Sequence, residues 1–417
     1  MKPIFFLFLL FNLSSLYANE KLPARLNSRY GVLINSDSGA TIIEKNHTKK
    51  IFPASTSKIA TALFALHKLK GRDINQLVTV TPHCIKKVTP EYKYSHIDQL
   101  PPYILQTDGT SFGLLPDEEV SYLSLLYGLL LISGNDAANT LAYHLGGHSI
   151  ERFMNEMNEF FVEIGCYHTH FVNPHGLQHP KQVSTPMDMA IIAKEALKYP
   201  LIRKIVASPE YEKPKSNKQK GYTIYQSNKL LIEGKLHFDE ALGMKTGFTT
   251  LGGYCLIACA SNNKRNLVAT LFNSKERNFR YHDAIEMFNI AFDEKPFSHK
   301  LFNANSLPFK RQIDNGKYTL KARLLNDVSI EYYKSENPTI KSELIFDTLS
   351  LPIIKGEKVG SLIVFVNDVK VKEVDLFAVN SIKLKWFQLP ALKWSILFLV
   401  ILLTSLKVYR GRKLGQV

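Results

Sequence analysis

An apolar stretch at each end of the chain decides which part of the sequence is free to fold as a globular body. Leu389 to Leu406 is apolar apart from Lys393 and the hydroxyls of Ser395, Thr404 and Ser405. Eighteen helical residues at about 1.5 Å each reach about 27 Å, close to the thickness of a bilayer's hydrocarbon core. Ile396 to Leu403 is apolar on every side, which suits a span better than a helix lying on the surface. Lys393 can snorkel to the interface beside Trp386 and Trp394, and Lys407, Arg410, Arg412 and Lys413 mark the inner side. At the other end Lys2 precedes an apolar run from Ile4 to Leu16 and the small Ala18, the pattern of a secretory signal peptide. The expectation is a signal peptide over 1–18, a transmembrane helix over 389–406 and a basic cytoplasmic tail over 407–417. The body then sits on the extracytoplasmic side of the inner membrane.

Charge and cysteines narrow the function classes. The 417 residues carry a formal net charge of +15, which invites a nucleic-acid reading. Eight of those positive charges, however, are Lys2 and the seven Lys and Arg beyond Val379, a region with no acid. The body itself is only mildly basic and has no basic run interleaved with aromatics, so no nucleic-acid partner is expected. With 45% hydrophobic and 21% charged residues the chain is not disordered. Cys84, Cys166, Cys255 and Cys259 show no zinc spacing. Cys255 and Cys259 lie in one apparent strand, about 13 Å apart and too far to bridge, so buried thiols are expected. No metal or cofactor is implied.

Periodicity divides the body in two. Tyr30–Asn35 and Thr41–Glu44 flank Ser36-Asp37-Ser38-Gly39, a hairpin signal. Helical spacing marks Ser55–Leu69, Ser121–Leu131, Asp136–Leu145, Ile150–Phe161, Met187–Leu197 and Asp283–Phe292. Strand patterns occupy Leu230–Ile232, Leu242–Thr246, Tyr254–Ala260 and Leu267–Phe272. This is an α/β (α+β) pattern: an antiparallel sheet flanked by helices, with a helical cluster inserted, over 19–295. Past Asp293-Glu294-Lys295-Pro296 the texture changes to short alternating strands and turn signals, a small all-β domain over 296–380.

Three short motifs carry chemistry. Ser55-Thr56-Ser57-Lys58 places a hydroxyl and an amine at i and i+3 on one helix face, at the helix start. A desolvated neutral lysine there can take the serine's proton. Alone, such a serine is an ordinary helix cap beside a solvated lysine. Ser133-Gly134-Asn135 breaks two apolar helices, and alone it too reads as a cap. Lys245-Thr246-Gly247 lies on a strand, where a lysine commonly guards an edge and a glycine admits a neighbouring backbone. In this order the trio matches the signature of active-site serine penicillin-binding proteins and class A β-lactamases.

With those motifs in place, the sequence resembles the low-molecular-mass penicillin-binding proteins of the D-alanyl-D-alanine carboxypeptidase type. Further blocks carry the likeness: Pro53-Ala54-Ser55, Ser133 to Ala138, Phe171 to Leu177, Ser184 to Met189, Gly252 to Leu256, and Lys355 to Gly360 in the β domain. The resemblance implies a penicillin-binding/β-lactamase-like catalytic domain that removes the terminal D-Ala from peptidoglycan stem pentapeptides, with β-lactams as covalent inhibitors. It makes Ser55 the nucleophile, Lys58 the general base, Ser133 a proton relay, Asn135 a holder of the substrate amide and Lys245 a source of positive potential. The amides of Ser55 and Phe248 would form the oxyanion hole, and Lys245, Thr246, Gly247, Phe248 and Arg280 would bind the substrate. Thr246 and Arg280 would meet the terminal carboxylate, Arg277 being the nearby competitor.

The sequence departs from the family pattern in three places. Extra length containing Pro101-Pro102 lies between Ile85 and Thr110, Phe248 stands where His or Tyr is frequent, and an apparent span replaces an amphipathic anchor. The alternatives are an endopeptidase acting on cross-linked peptides, a class A-like β-lactamase and a non-enzymatic envelope scaffold. The lactamase needs a Glu-x-x-Leu-Asn block, and the nearest string, Glu151 to Asn155, comes too soon after Ser133. His175 and His179 have no carboxylate spacing that suggests a metal and read as surface or core histidines; Met154 and Met157 read as core.

Overall fold

The computed structural model describes residues 21–383, apart from 305 and 315, and residues 395–405. The expected signal peptide and the basic tail lie outside the described residues. Chain contacts define two units, one of Asn19–Lys295 with Tyr333–Asn337, the other including Pro296–Tyr332 and the chain from Pro338 onward.

The larger unit is built on five antiparallel strands: β1 (Tyr30–Asn35), β2 (Thr41–Lys45), β3 (Ala241–Thr249), β4 (Gly253–Ser261) and β5 (Asn266–Ser274). Their order across the sheet is β2-β1-β5-β4-β3, so chain start and chain middle meet at β1 and β5. Both faces are covered, and the sequence shows why. Val32 and Ile34 of β1 enter one core while Leu33 enters the other. Along β4, Cys255, Ile257 and Cys259 face the first core and Leu256, Ala258 and Ala260 the second. A period of two with both faces buried reads as an unbroken apolar run. All four cysteines are buried free thiols.

The first core is filled by α1 (Lys58–Lys68), in which every residue from Lys58 to Leu66 is buried. Around it pack α2 (Tyr122–Leu130), α3 (Asn135–Leu145), α4 (Ile150–Glu163), α5 (Pro186–Ala196) and α6 (Pro200–Ala207). Hydroxyl caps start three of them: Ser121, Ser149 and Thr185 accept from the backbone N–H of Ser124, Arg152 and Asp188. The second core is closed by α7 (Phe279–Asp293), which buries Tyr281, Ala284, Met287, Phe288 and Ala291 at helical spacing. Buried Asp283 ties the incoming chain to α7, accepting from Asn27 N at 2.9 Å and from Ser28 N and Oγ at 2.6 and 2.5 Å.

Two sequence expectations need revision, and a third lies partly outside the described residues. Leu230–Ile232 is a turn rather than a strand, because Asn228 bends it locally: its Oδ1 accepts from Leu230 N and its carbonyl from Leu231 N. The helix expected from Ser55 starts as a 3₁₀ turn, Ala54–Ser57, before the α-helix begins at Lys58. Of the span expected over 389–406, residues 395–405 are helical and the remainder lies outside the described residues. Among the described residues no helix is long and apolar enough to cross a membrane.

The smaller unit is all-β, with β6 (Phe297–Phe302), β7 (Phe309–Ile313), β8 (Tyr318–Arg323), β9 (Val328–Tyr332), β10 (Ile340–Phe346), β11 (Lys358–Val366) and β12 (Val369–Ala378). A five-stranded sheet runs β7-β8-β12-β11-β10, and β6 pairs with β9. Leu320 and Ala322 alternate with exposed Lys321 and Arg323, and the inward set meets Leu362, Val364 and Leu376 in one core.

Candidate active site

The site forms where the 3₁₀ turn meets the edge strand β3. Thr56 and Ser57 stitch the turn by donating from their hydroxyls to the carbonyls of Pro53 and Ala54, at 2.6 and 3.0 Å. A Cβ on Gly247 would lie 2.9 Å from Ser55 N and 3.0 Å from Thr56 N, so only glycine lets β3 come this close. Three non-glycine residues beside the motifs hold positive φ: Ala54 (51°), Ser133 (66°) and Met244 (125°). Such conformations persist only where the surroundings over-determine them, and here each flanks or belongs to a motif.

Lys58 lies at the centre, fully buried. Its Nζ is 3.0 Å from Ser55 Oγ, 2.7 Å from Asn135 Oδ1 and 2.5 Å from the carbonyl oxygen of His175. The first two motifs therefore converge on one amine. Burial pushes the Lys58 amine well below the usual lysine range, and the charge of Lys245 pushes the same way against an opposing contribution from Asp136. A neutral amine has two hydrogens and one lone pair. The oxygens of Asn135 and His175 can only accept, so they take both hydrogens. The lone pair is left for the Ser55 hydroxyl, the one neighbour of the three able to donate.

Ser133 sits on the turn between α2 and α3. Its carbonyl accepts from Thr110 Oγ1 at 2.6 Å, while its own Oγ is buried without a hydrogen-bond partner among the described residues. A buried hydroxyl with an open valence beside such a site is suited to exchanging a proton with an arriving group. Lys245 on β3 is buried, donates to the Thr246 carbonyl at 2.9 Å, and has its pKa lowered to about 7 by burial and by Arg280.

Arg280 is placed behind β3. Its Nη1 donates to the carbonyls of Gly247 at 2.7 Å and Cys255 at 2.8 Å, and its guanidinium lies over the rings of Tyr254 and Tyr281. It thus fixes the strand that carries Thr246 and Gly247. Arg277 is exposed. Phe248 is exposed at the rim, its ring 4.5 Å from that of Tyr254.

Two contributors escaped the sequence reading. His175 matters through its backbone carbonyl, which no residue-type pattern reveals. Its buried ring accepts from Leu177 N at Nδ1 and donates from Nε2 to the Tyr103 carbonyl at 3.1 Å. That same carbonyl accepts from Asn139 Nδ2, so the extra segment between Ile85 and Thr110 is fastened to both α3 and the His175 loop. Gly176 (φ 83°) lets this loop press on the 3₁₀ turn, since a Cβ there would meet the Ala54 carbonyl at 2.0 Å. The second is Asp136, the buried neighbour of Asn135.

Comparison with known proteins gives one consistent result. Residues 17–276 match the family profile described as D-alanyl-D-alanine carboxypeptidase, and residues 298–384 match the profile of the penicillin-binding protein 5 C-terminal domain. The chain is 29% identical over 339 residues to the D-alanyl-D-alanine carboxypeptidase DacF of Bacillus subtilis, covering 81% of each chain. A crystal structure of a D-alanyl-D-alanine carboxypeptidase from Mycobacterium tuberculosis superposes with a TM-score of 0.55 at 27% identity, over 65% of this chain and 94% of that one. A Francisella tularensis structure shares the fold at a TM-score of 0.60 and 22% identity, over 89% of this chain and 98% of that one.

The buried lysines set a pH dependence. Lys245 is cationic below about pH 7 and neutral above it, so its pull on an anionic reagent weakens as pH rises through that value. The second-order rate of reaction with benzylpenicillin, which carries a carboxylate, is expected to fall along an alkaline limb near pH 7. Lys245→Arg, which stays charged, should move that limb upward by more than about one unit. A wild-type rate unchanged from pH 6 to 9 would contradict this.

Proposed function

The chain belongs to the D-alanyl-D-alanine carboxypeptidase family, and on that premise we propose how its own residues carry the reaction. The protein is a serine-type D-Ala-D-Ala carboxypeptidase that acts on peptidoglycan stem peptides and is acylated by β-lactams. The observation that carries the assignment of roles is the three-way contact at Lys58 Nζ.

Ser55 Oγ attacks the carbonyl carbon of the penultimate D-Ala as its proton passes to Lys58 Nζ. The oxyanion forms against the backbone N–H groups of Ser55 and Phe248. Ser133 Oγ delivers a proton to the departing amine, receives one from Lys58, and the terminal D-Ala leaves. Water then hydrolyses the ester by the reverse proton path. Because Asn135 Oδ1 is engaged by Lys58, its Nδ2–H is the end that donates to the substrate's backbone carbonyl. Thr246 and the charge of Lys245 receive the terminal carboxylate. Arg280 adds charge from behind β3 and holds the Gly247 carbonyl in place.

The same reading places the body outside the inner membrane, with a signal peptide at 1–18 and a C-terminal anchor at 389–406. Its support is the hydropathy of that segment and the exposed apolar residues Ile396 to Leu403 of the described helix at 395–405. Membrane fractions washed with alkaline carbonate should retain the full chain and release a chain ending at residue 383; release of both would remove the anchor.

Ser55→Ala should abolish both D-Ala release from a pentapeptide and labelling by fluorescent penicillin while leaving circular dichroism unchanged. Release persisting within about tenfold of wild type would refute Ser55 as nucleophile.

A further inference from the structure

The carboxylate of Asp136, in the first turn of α3, is buried and forms no ion pair among the described residues. Instead five donors converge on it. Oδ1 accepts from Phe112 N at 2.7 Å and Ala137 N at 3.0 Å, and Oδ2 from Ser111 Oγ at 2.6 Å, Gly113 N at 2.9 Å and Leu114 N at 3.0 Å. A carboxylate so held gathers segment 111–114 against the start of the helix. The residue just before that segment, Thr110, is bonded at both sides of the second motif. Its Oγ1 donates to the Ser133 carbonyl at 2.6 Å, and its own carbonyl accepts from Asn135 N at 3.0 Å. The chain of contacts runs from Asp136 through 110–114 to Ser133 and Asn135, and from Asn135 Oδ1 to Lys58 Nζ.

We propose that Asp136 is a positioning residue for acyl transfer, holding Ser133 and Asn135 in register with Lys58 and acting on that buried amine with its negative charge. The charged and titratable groups around it agree with this. From α1 comes Lys58 and from β3 Lys245, which oppose each other. Tyr222 donates its hydroxyl to the Phe112 carbonyl and is held neutral, its pKa pushed up to about 12 by burial and by the anions Glu118 and Asp136. Lys213, whose Nζ lies 5.7 Å from the centre of the Phe112 ring, is paired at 2.5 Å with buried Glu118. The Lys213 charge is thereby spent locally, and that of Asp136 is free to act on Lys58.

Asp136→Asn tests both parts. Its amide turns N–H groups toward at least two of the donors that the carboxylate satisfied, which loosens segment 111–114. The lost charge removes an influence that favours protonated Lys58. The second-order rate of acylation by benzylpenicillin should fall about 10- to 100-fold at its optimum. Its acid limb should move to lower pH by about half a unit. Thr110→Val, which removes one bond and no charge, should lower the rate about 2- to 10-fold and leave the limb in place. An Asp136→Asn enzyme with an unmoved limb or an unchanged rate overturns the proposal. Should that variant not fold, Asp136→Glu keeps the charge on a longer arm; it should react more slowly with the limb unmoved, and a wild-type rate or a shifted limb overturns the proposal equally. The inference rests on the acyl-transfer reading. Failure of that reading shows as absence of any Ser55 adduct in the wild type, whereas failure of this one shows in a labelled but unshifted variant.

Discussion

The buried amine of Lys58 is the point on which the rest of the structure depends. A primary amine taken fully out of water loses several kcal/mol of hydration if it stays charged, and among the described residues no carboxylate stands within bonding distance to offset that. What surrounds it is two carbonyl-type oxygens and one hydroxyl. That set suits a neutral amine, which gives two hydrogens and keeps a lone pair. A serine hydroxyl is inert at its ordinary pKa, so a neutral base 3.0 Å away supplies what the nucleophile lacks.

Much of the architecture exists to keep that contact in place. The sheet is buried on both faces, and β3 is held alongside by pairing with β4 and by Arg280 of α7 while its motif faces the 3₁₀ turn. Arg280 binds two carbonyls of this sheet edge, and its charge also depresses Lys245, so one residue serves geometry and electrostatics together. On the opposite side, the His175 loop and the segment before Thr110 meet at the Tyr103 carbonyl. Strained backbone at Ala54, Ser133 and Met244 is tolerated because these surroundings leave the chain no slack.

Sequence made the broad plan legible. Short apolar runs identified the sheet strands and alternation the all-β domain, helical spacing found the main helices, and the order of three motifs identified the family. The details that escaped share a physical origin. Leu230–Ile232 is apolar like a strand, but a single Asn228 side chain overrides that pattern. His175 contributes a carbonyl, and backbone groups are the same in every residue. Asp136 reads as an ordinary acid in a helix's first turn until the fold adds four donors from residues 111–114 to that of its neighbour Ala137. Arg280 was expected toward the carboxylate, and only tertiary packing shows its guanidinium engaged with Gly247 and Cys255. Residue type and spacing encode which groups are available; partners distant in sequence decide how each one is used.

The account stands or falls on the protonation state of Lys58, and that is directly measurable. In protein labelled with ¹³C at lysine Cε, the Lys58 resonance, assigned by its loss in Lys58→Arg, should titrate well below the usual lysine range. A Lys58 resonance that remains in the charged form up to about pH 10 would contradict the claim that this amine is the base.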